Sequence, residues 1–234
     1  MRSALSFLTV VGGARDPDPG TLDWFPVVGA ALGLVLGGWW WVVGRAWPAP
    51  VAAGLVLAAD LGVTGLLHLD GLVDSGDGLL APLSRGRRLE VMRQPEVGAF
   101  GVGSAAIVLV LRWAALAVIR PGVLLIGGLW CASRTLIAGI ARLRPYARPE
   151  GGLPAAFEGP VHPAVLVSGM IAAIGLAAGW RPGPGVVAVA AGALGGLAVV
   201  ALAERRLGGY TGDVLGAVVM VTETVGLVVA SARW

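Results

Sequence analysis

Seven stretches of about 20 apolar residues limit this fold more than any other feature of the chain. They run near 26–44, 49–69, 100–119, 122–141, 163–180, 185–203 and 213–232. A bilayer core about 30 Å thick takes roughly 20 residues of helix to cross. Inside lipid the backbone must satisfy its own hydrogen bonds, which each helix does alone. The expectation is all-α: a polytopic membrane helix bundle of about seven transmembrane helices, forming one domain over 1–234. Composition agrees, with 56% hydrophobic and 13% charged residues, far from an ordinary soluble domain. Turn chemistry marks the breaks: "WPAP" at 47, "RPG" at 120, "RPGPG" at 181 and a longer polar segment from 142 to 163.

Arginine placement sets orientation, because loops retained on the cytoplasmic side hold the excess of positive charge. All 17 basic residues are arginine. An inward N-terminus places Arg2, Arg15, Arg85, Arg87, Arg88, Arg93, Arg142, Arg144, Arg148, Arg205 and Arg206 inside, eleven in all, and only Arg45, Arg120, Arg181 and Arg233 outside. Trp39, Trp40, Trp41, Trp47, Trp113, Trp180 and Trp234 then fall toward the outer interface, where indoles are stable. The site-bearing loops are thus expected on the cytoplasmic face of a bacterial-type plasma membrane. The first residues, "MRSALSFLTVVGGARDPDPG", lack a small-residue cleavage site and read as mature sequence with a short interfacial helix. No basic stripe with interleaved aromatics indicates nucleic acid. Cys131 is the single cysteine, so neither an internal disulfide nor a cysteine-ligated metal is available.

Small residues at every fourth position allow close helix packing where lipid supplies no hydrophobic drive. Gly29, Gly33 and Gly37 form one such set, Gly192 and Gly196 a second, and Gly208, Gly212 and Gly216 a third, of which the Gly208–Gly212 part reads as a turn.

Charges are few, which makes "HLDGLVDSGDGLL" at 68–80 conspicuous. On a helix Asp70, Asp74 and Asp77 lie at about 0, 40 and 340 degrees, one narrow face. Three like charges so placed repel, and hard oxygens without Cys or His partners suit Mg2+ or Mn2+. A solvated helix end at the membrane surface explains them equally. "RRLGGYTGD" at 205–213 adds Asp213 as a fourth carboxylate, and a turn at Gly208, Gly209 and Thr211 whose free amides can hold phosphate. Arg134 lies inside a segment and needs a partner; Arg142, Arg144 and Arg148 follow it. Asp60 is placed to pair with Arg112 or Arg134, and Glu223 either to pair with Arg134 or to line a substrate cavity. His68 points away from the aspartates on an ideal helix, and His162 marks a helix start. Carboxylates, arginines and a glycine turn on one aqueous face suit phosphoryl-group chemistry.

Taken in order, "LSFLT", "HLDGLVDSGDGLL", "RRLEVMRQPEVGAFGV", "SRT", "RPYARPEGGLPAAF" and "RRLGGYTGDVLGA" resemble the motifs of the cobalamin synthases, the adenosylcobinamide-GDP ribazoletransferases. The resemblance spans nearly the whole chain and departs from the family pattern at Gln94, Pro95, Glu96 and Val10. It implies a multi-pass membrane enzyme of late vitamin B12 synthesis. Such an enzyme joins α-ribazole or its 5'-phosphate to adenosylcobinamide-GDP, releases GMP, requires Mg2+, and forms homo-oligomers or associates with other enzymes of the pathway. Carried onto this chain, Asp70, Asp74, Asp77 and Asp213 hold the metal. Arg134, Arg142, Arg144 and Arg148 bind diphosphate with the Gly208, Gly209 and Thr211 turn, and a carboxylate such as Asp74, or His68, takes the proton. The alternatives are a CDP-alcohol phosphotransferase, whose Asp-Gly is usually followed by Ala-Arg where this chain has Leu72 and Val73, and a small multi-pass transporter.

Overall fold

The computed structural model describes residues 1–13, 16–18, 20–148 and 162–234, so Arg15 and most of the 149–163 stretch lie outside the described residues. Among those residues the chain is helical, with a single isolated bridge between Tyr146 and Tyr210. The helices are α1 (Arg2–Leu8), a 3-10 turn (Thr21–Trp24), α2 (Phe25–Ala46), α3 (Ala49–Val63), α4 (Leu67–Leu80), α5 (Arg85–Val91) and α6 (Ala99–Val118). They continue with α7 (Val123–Leu143), α8 (Pro163–Trp180), α9 (Pro182–Leu207) and α10 (Gly212–Ala230). Prolines open α2, α8 and α9 in the first turn, where no amide hydrogen is needed. Thr211 caps α10 by accepting from the Val214 amide at 3.3 Å.

Six helices, α2 with its leading turn, α6, α7, α8, α9 and α10, are long and apolar enough to cross a membrane. The seventh expected span, 49–69, is not one helix. It breaks after Val63, and α4 leaves at 89° to α3. Gly65 and Leu66 both take left-handed backbone angles, φ 58° and 62°, and the Thr64 hydroxyl donates to the Asp60 carbonyl at 2.8 Å. Hydropathy could not show the break because the bend itself is apolar. It spares the three aspartates of α4 from following the axis of α3 through the bundle.

The helices α7 and α10 form the centre: 78% and 72% of their apolar stretches are buried, against 17–39% for the other spans. Close approach makes this possible. A Cβ on Gly29, Gly33 or Gly37 would lie within 2.5–2.7 Å of the α7 backbone, and one on Gly192 within 2.5 Å of the Thr222 carbonyl. The first two glycine sets are therefore helix interfaces, as expected. The third divides: Gly216 packs on Gly71 of α4, whereas Gly208 ends α9 in the left-handed region at φ 79°.

Mid-bundle charges pair among themselves. Arg112 Nη1 lies 2.7 Å from Asp60, its Nη2 2.8 Å from Glu223, and Arg134 also pairs with Glu223. Trp130 Nε1 donates to Asp60 at 3.1 Å and Ser133 Oγ to Glu223 at 2.8 Å. Two arginines thus balance two acids on four helices, which makes burial of the charges tolerable. Antiparallel packing collects Arg85, Arg88, Arg144, Arg148 and Arg206 at one end of the bundle, and Trp41, Trp47 and Trp180 at the other.

Candidate active site

The break at Leu66 swings α4 across the N-terminal end of α10, and a glycine on each helix lets them touch. A Cβ on Gly71 would come within 2.7 Å of the Asp213 backbone, and the Cα atoms of Gly71 and Gly216 are close neighbours. Asp213, which begins α10, is thereby brought beside the acidic face of α4. Asp70 is exposed and Asp74 half-buried. The charges of Asp213, Asp70 and Asp77 all bear on Asp74, offset by Arg148. The far end of α4 is held by two arginines: Arg88 donates to the carbonyls of Gly78 and Leu79 at 2.7 and 3.0 Å, and Arg206 donates to Leu79. Cations at a helix C-terminus oppose the negative end of its dipole.

Asp77 departs from the expected metal set. Its oxygens accept from the Gly98 amide at 2.7 Å and the Gly101 amide at 2.8 Å, at the start of α6. A Cβ on either glycine would meet that carboxylate at 2.5 Å. The aspartate is buried and caps a neighbouring helix; the paired glycines in "EVGAFG" carry the signal for this in the sequence.

Arg134 is also placed differently from expectation. It is fully buried with Ser133 and Glu223, away from the exposed carboxylates, and has no open side for a diphosphate. Arg144 pairs with Glu204 at 3.3 Å. Arg142 sits exposed in the last turn of α7. Arg148 does reach the cluster, 2.8 Å from Asp213.

The glycine turn explains how Arg148 gets there. Gly209 has no space for a side chain, since a Cβ would meet the Pro145 carbonyl at 2.2 Å. The Tyr210 amide donates to Pro145 at 2.9 Å and the Ala147 amide donates to Tyr210 at 2.8 Å. This small bridge sets the following residue, Arg148, against Asp213, whose carboxylate also accepts from Thr211 at 3.2 Å. The Tyr210 hydroxyl donates to Ala141 at 2.9 Å. Burial, with Tyr146 nearby, pushes its ionisation up to about 12.

Beside the carboxylates lies a cavity of about 200 Å3. Phe7, Leu67, Ile137 and Leu215 line it together with exposed Asp70, part-buried Asp213 and buried His68. The apolar residues of this cavity were not legible in the sequence, because nothing about Phe7 or Ile137 separates them from packing residues.

Among the described residues no three acidic, histidine or cysteine groups converge closely enough to enclose a metal ion. The donor chemistry nevertheless fits Mg2+. Asp70 and Asp74 are hard oxygen donors, and no hydrogen bond or ion pair among the described residues engages their carboxylates. Mg2+ typically keeps several waters and binds through one or two carboxylates plus substrate phosphates, so a closed protein cage is not required.

Residues 1–231 match the family model described as cobalamin-5-phosphate synthase. The adenosylcobinamide-GDP ribazoletransferase of Bradyrhizobium diazoefficiens is 36% identical over 242 residues, covering 99% of this chain and 93% of its own. The proteins of that name from Roseiflexus sp. and Chlorobaculum tepidum are 32% and 33% identical, covering 96% and 91% of this chain and 86% of each relative. No solved structure matches the chain. With nearly every residue matched by the family model, and whole-length relatives above 30% identity, the chain belongs to the cobalamin-5-phosphate synthase family.

Proposed function

We propose that this protein joins α-ribazole, or its 5'-phosphate, to adenosylcobinamide-GDP, giving adenosylcobalamin or its 5'-phosphate and GMP, with Mg2+ bound. The relatives' names supply the substrates. The observation that carries the reading to this chain is the pair Asp70 and Asp74, whose carboxylates have no ion-pair partner among the described residues, beside the Asp213–Arg148 contact, at the arginine-rich end of a membrane bundle. By the positive-inside rule that end faces the cytoplasm.

In the proposed reaction the ribazole 3'-hydroxyl oxygen attacks the cobinamide-side phosphorus. The bond from that phosphorus to the bridging oxygen breaks, GMP leaves, and the hydroxyl proton passes to a carboxylate oxygen. Asp70, Asp74 and Asp213 are the residues that would hold Mg2+, which when bound supplies charge neutralisation at the phosphate oxygens. Arg148 supplies fixed positive charge next to Asp213 and is positioned to meet an arriving diphosphate. Exposed Arg142 adds to the field that draws the anionic donor to this end. Asp77 acts indirectly, by holding α6 against α4.

The test is GMP release by the purified protein in lipid, given adenosylcobinamide-GDP, α-ribazole and Mg2+, with and without EDTA. Metal-dependent release that is lost in Asp74→Asn supports the assignment. A folded wild type that releases no GMP overturns the reaction.

A further inference from the structure

We propose that an anionic phospholipid binds in an apolar slot between α6 and α9, its phosphate held by Arg85, Arg88 and Arg206, and braces the acidic helix α4 from behind. The proposal goes beyond the transferase reading and does not depend on it.

The slot has a volume of about 260 Å3 and is floored by α4 and α10. On α4 its lining residues Leu72, Ser75, Gly76 and Leu79 fall at about 140–240 degrees when Asp70 is set at zero, the side opposite the carboxylates. The other three helices line it at one depth: Ser104 and Val108 on α6, Leu202 and Val199 on α9, Ala217 and Val221 on α10. Each lies five to nine residues from the arginine-rich end of its helix, which is about 7–14 Å. Half of a hydrocarbon core is about 15 Å, so the slot sits at the level of one leaflet's acyl chains. Its mouth is apolar and open, with Leu80 48% and Ile107 63% exposed. The Ser104 hydroxyl is spent on the Phe100 carbonyl at 2.7 Å.

A charged rim separates this slot from general contact with lipid. Leu79, which lines it, carries the carbonyl to which Arg88 and Arg206 both donate. Arg206 follows Leu202 by four residues, on the same side of α9. Arg85 lies against the end of that helix, where a Cβ on Gly208 would meet its guanidinium at 2.8 Å. Among the described residues no carboxylate pairs with any of the three, whereas Arg87, Arg144 and Arg148 each have one. The charges of Arg88 and Arg206 bear on each other. A guanidinium has five N–H groups, so the α4 carbonyls leave most of these donors free. An anion relieves the repulsion, and phosphate accepts from guanidinium in paired bonds. Basic pockets between membrane helices hold anionic lipid head groups in this way. A phospholipid carries both matching parts on one molecule, a phosphate at the surface and a chain directly below it. The diphosphate donor is needed at the carboxylates, on the other side of α4. A zwitterionic head group would bring a further cation to the three arginines, which favours a lipid of net negative charge.

The experiment uses the full-length protein, stripped of lipid in detergent, and native mass spectrometry with phosphatidylglycerol and phosphatidylcholine of identical acyl chains. The wild type should retain one phosphatidylglycerol, and about tenfold less phosphatidylcholine at equal concentration. The double variant Arg85→Gln/Arg206→Gln should lower phosphatidylglycerol retention about tenfold. Ile107→Trp, which fills the exposed mouth without entering the core, should lower it as well. Bracing is read from deuterium exchange of the α4 amides in nanodiscs, slower in phosphatidylglycerol than in phosphatidylcholine for the wild type, with the difference lost in the variants. Equal retention of the two lipids, phosphatidylglycerol retention unchanged in either variant, or α4 exchange indifferent to the lipid overturns the proposal. Displacement of phosphatidylglycerol by millimolar inorganic phosphate would give the arginines to a free phosphate group and overturns it too. None of these readings requires turnover, so they are distinct from failure of the transferase reading, which is a wild type that releases no GMP.

Discussion

The Asp77 carboxylate and the Gly101 amide meet at 2.8 Å, with the Gly98 amide at 2.7 Å on the other oxygen. The acidic helix α4 and the span α6 are thereby joined at the residue that, by spacing, belongs to an acidic face. Asp77→Ala is expected to lower unfolding stability by about 1–2 kcal/mol, the loss of a helix cap, measured by thermal unfolding in detergent.

Asp70 and Asp74 should respond in the opposite way. Asp74→Asn removes one of several like charges, so the melting temperature holds or rises while GMP release falls about a hundredfold or more, the scale of losing a major electrostatic contributor. A drop in stability matching that of Asp77→Ala, with activity retained, would count against the metal assignment.

Glu223 is the shared acid of the buried network, paired with both Arg112 and Arg134. Glu223→Gln leaves an excess of buried positive charge and is expected to cost about 3–5 kcal/mol. Arg144→Ala, which removes an exposed pair with Glu204, should cost no more than about 1 kcal/mol. Unfolding curves of the two variants side by side check the contrast.

Gly33 and Gly38 lie on one helix and differ in what a methyl group would meet. At Gly33 it would lie 2.6 Å from the Ile126 carbonyl; at Gly38 nothing is within 4 Å. Gly33→Ala should destabilise by about 1–3 kcal/mol, whereas Gly38→Ala should be neutral or stabilising by up to about 1 kcal/mol.

Tyr210 gives a pH signature. Its hydroxyl is buried against Ala141 and ionises near 12, above the ordinary value of 10. The folded state holds this proton more tightly than the unfolded chain, so its contribution to stability is complete below pH 10 and is lost as pH rises toward 12. Ultraviolet titration of the folded protein should show this late phenol ionisation, and Tyr210→Phe should abolish it.

Much of the bundle was legible because bilayer thickness fixes span length: six of the seven stretches became helices close to their expected bounds. The Gly29, Gly33 and Gly37 interface and the pairing of Asp60 and Glu223 with arginine were legible for the same reason, since lipid leaves small residues and buried charges few alternatives. The bend at Leu66 was not, because an apolar residue in a left-handed conformation has no hydropathy signal. From that miss follow others. With α4 reoriented, His68 borders the same cavity as Asp70 although an ideal helix places them on opposite sides, and Asp77 turns to α6. The diphosphate role for Arg134 came with the resemblance, whereas its depth and its pairing with Glu223, both legible, enclose it in the bundle.

The contact of Gly71 with Gly216 has a consequence for the order of events during synthesis. The acidic helix α4 leaves the ribosome long before α10, yet α10 supplies both the surface it docks on and the residue Asp213. Chains are made from the N-terminus onward at about 5–20 residues per second. For several seconds, therefore, the aspartates exist without the assembled site, and chemistry waits for insertion of the last membrane span.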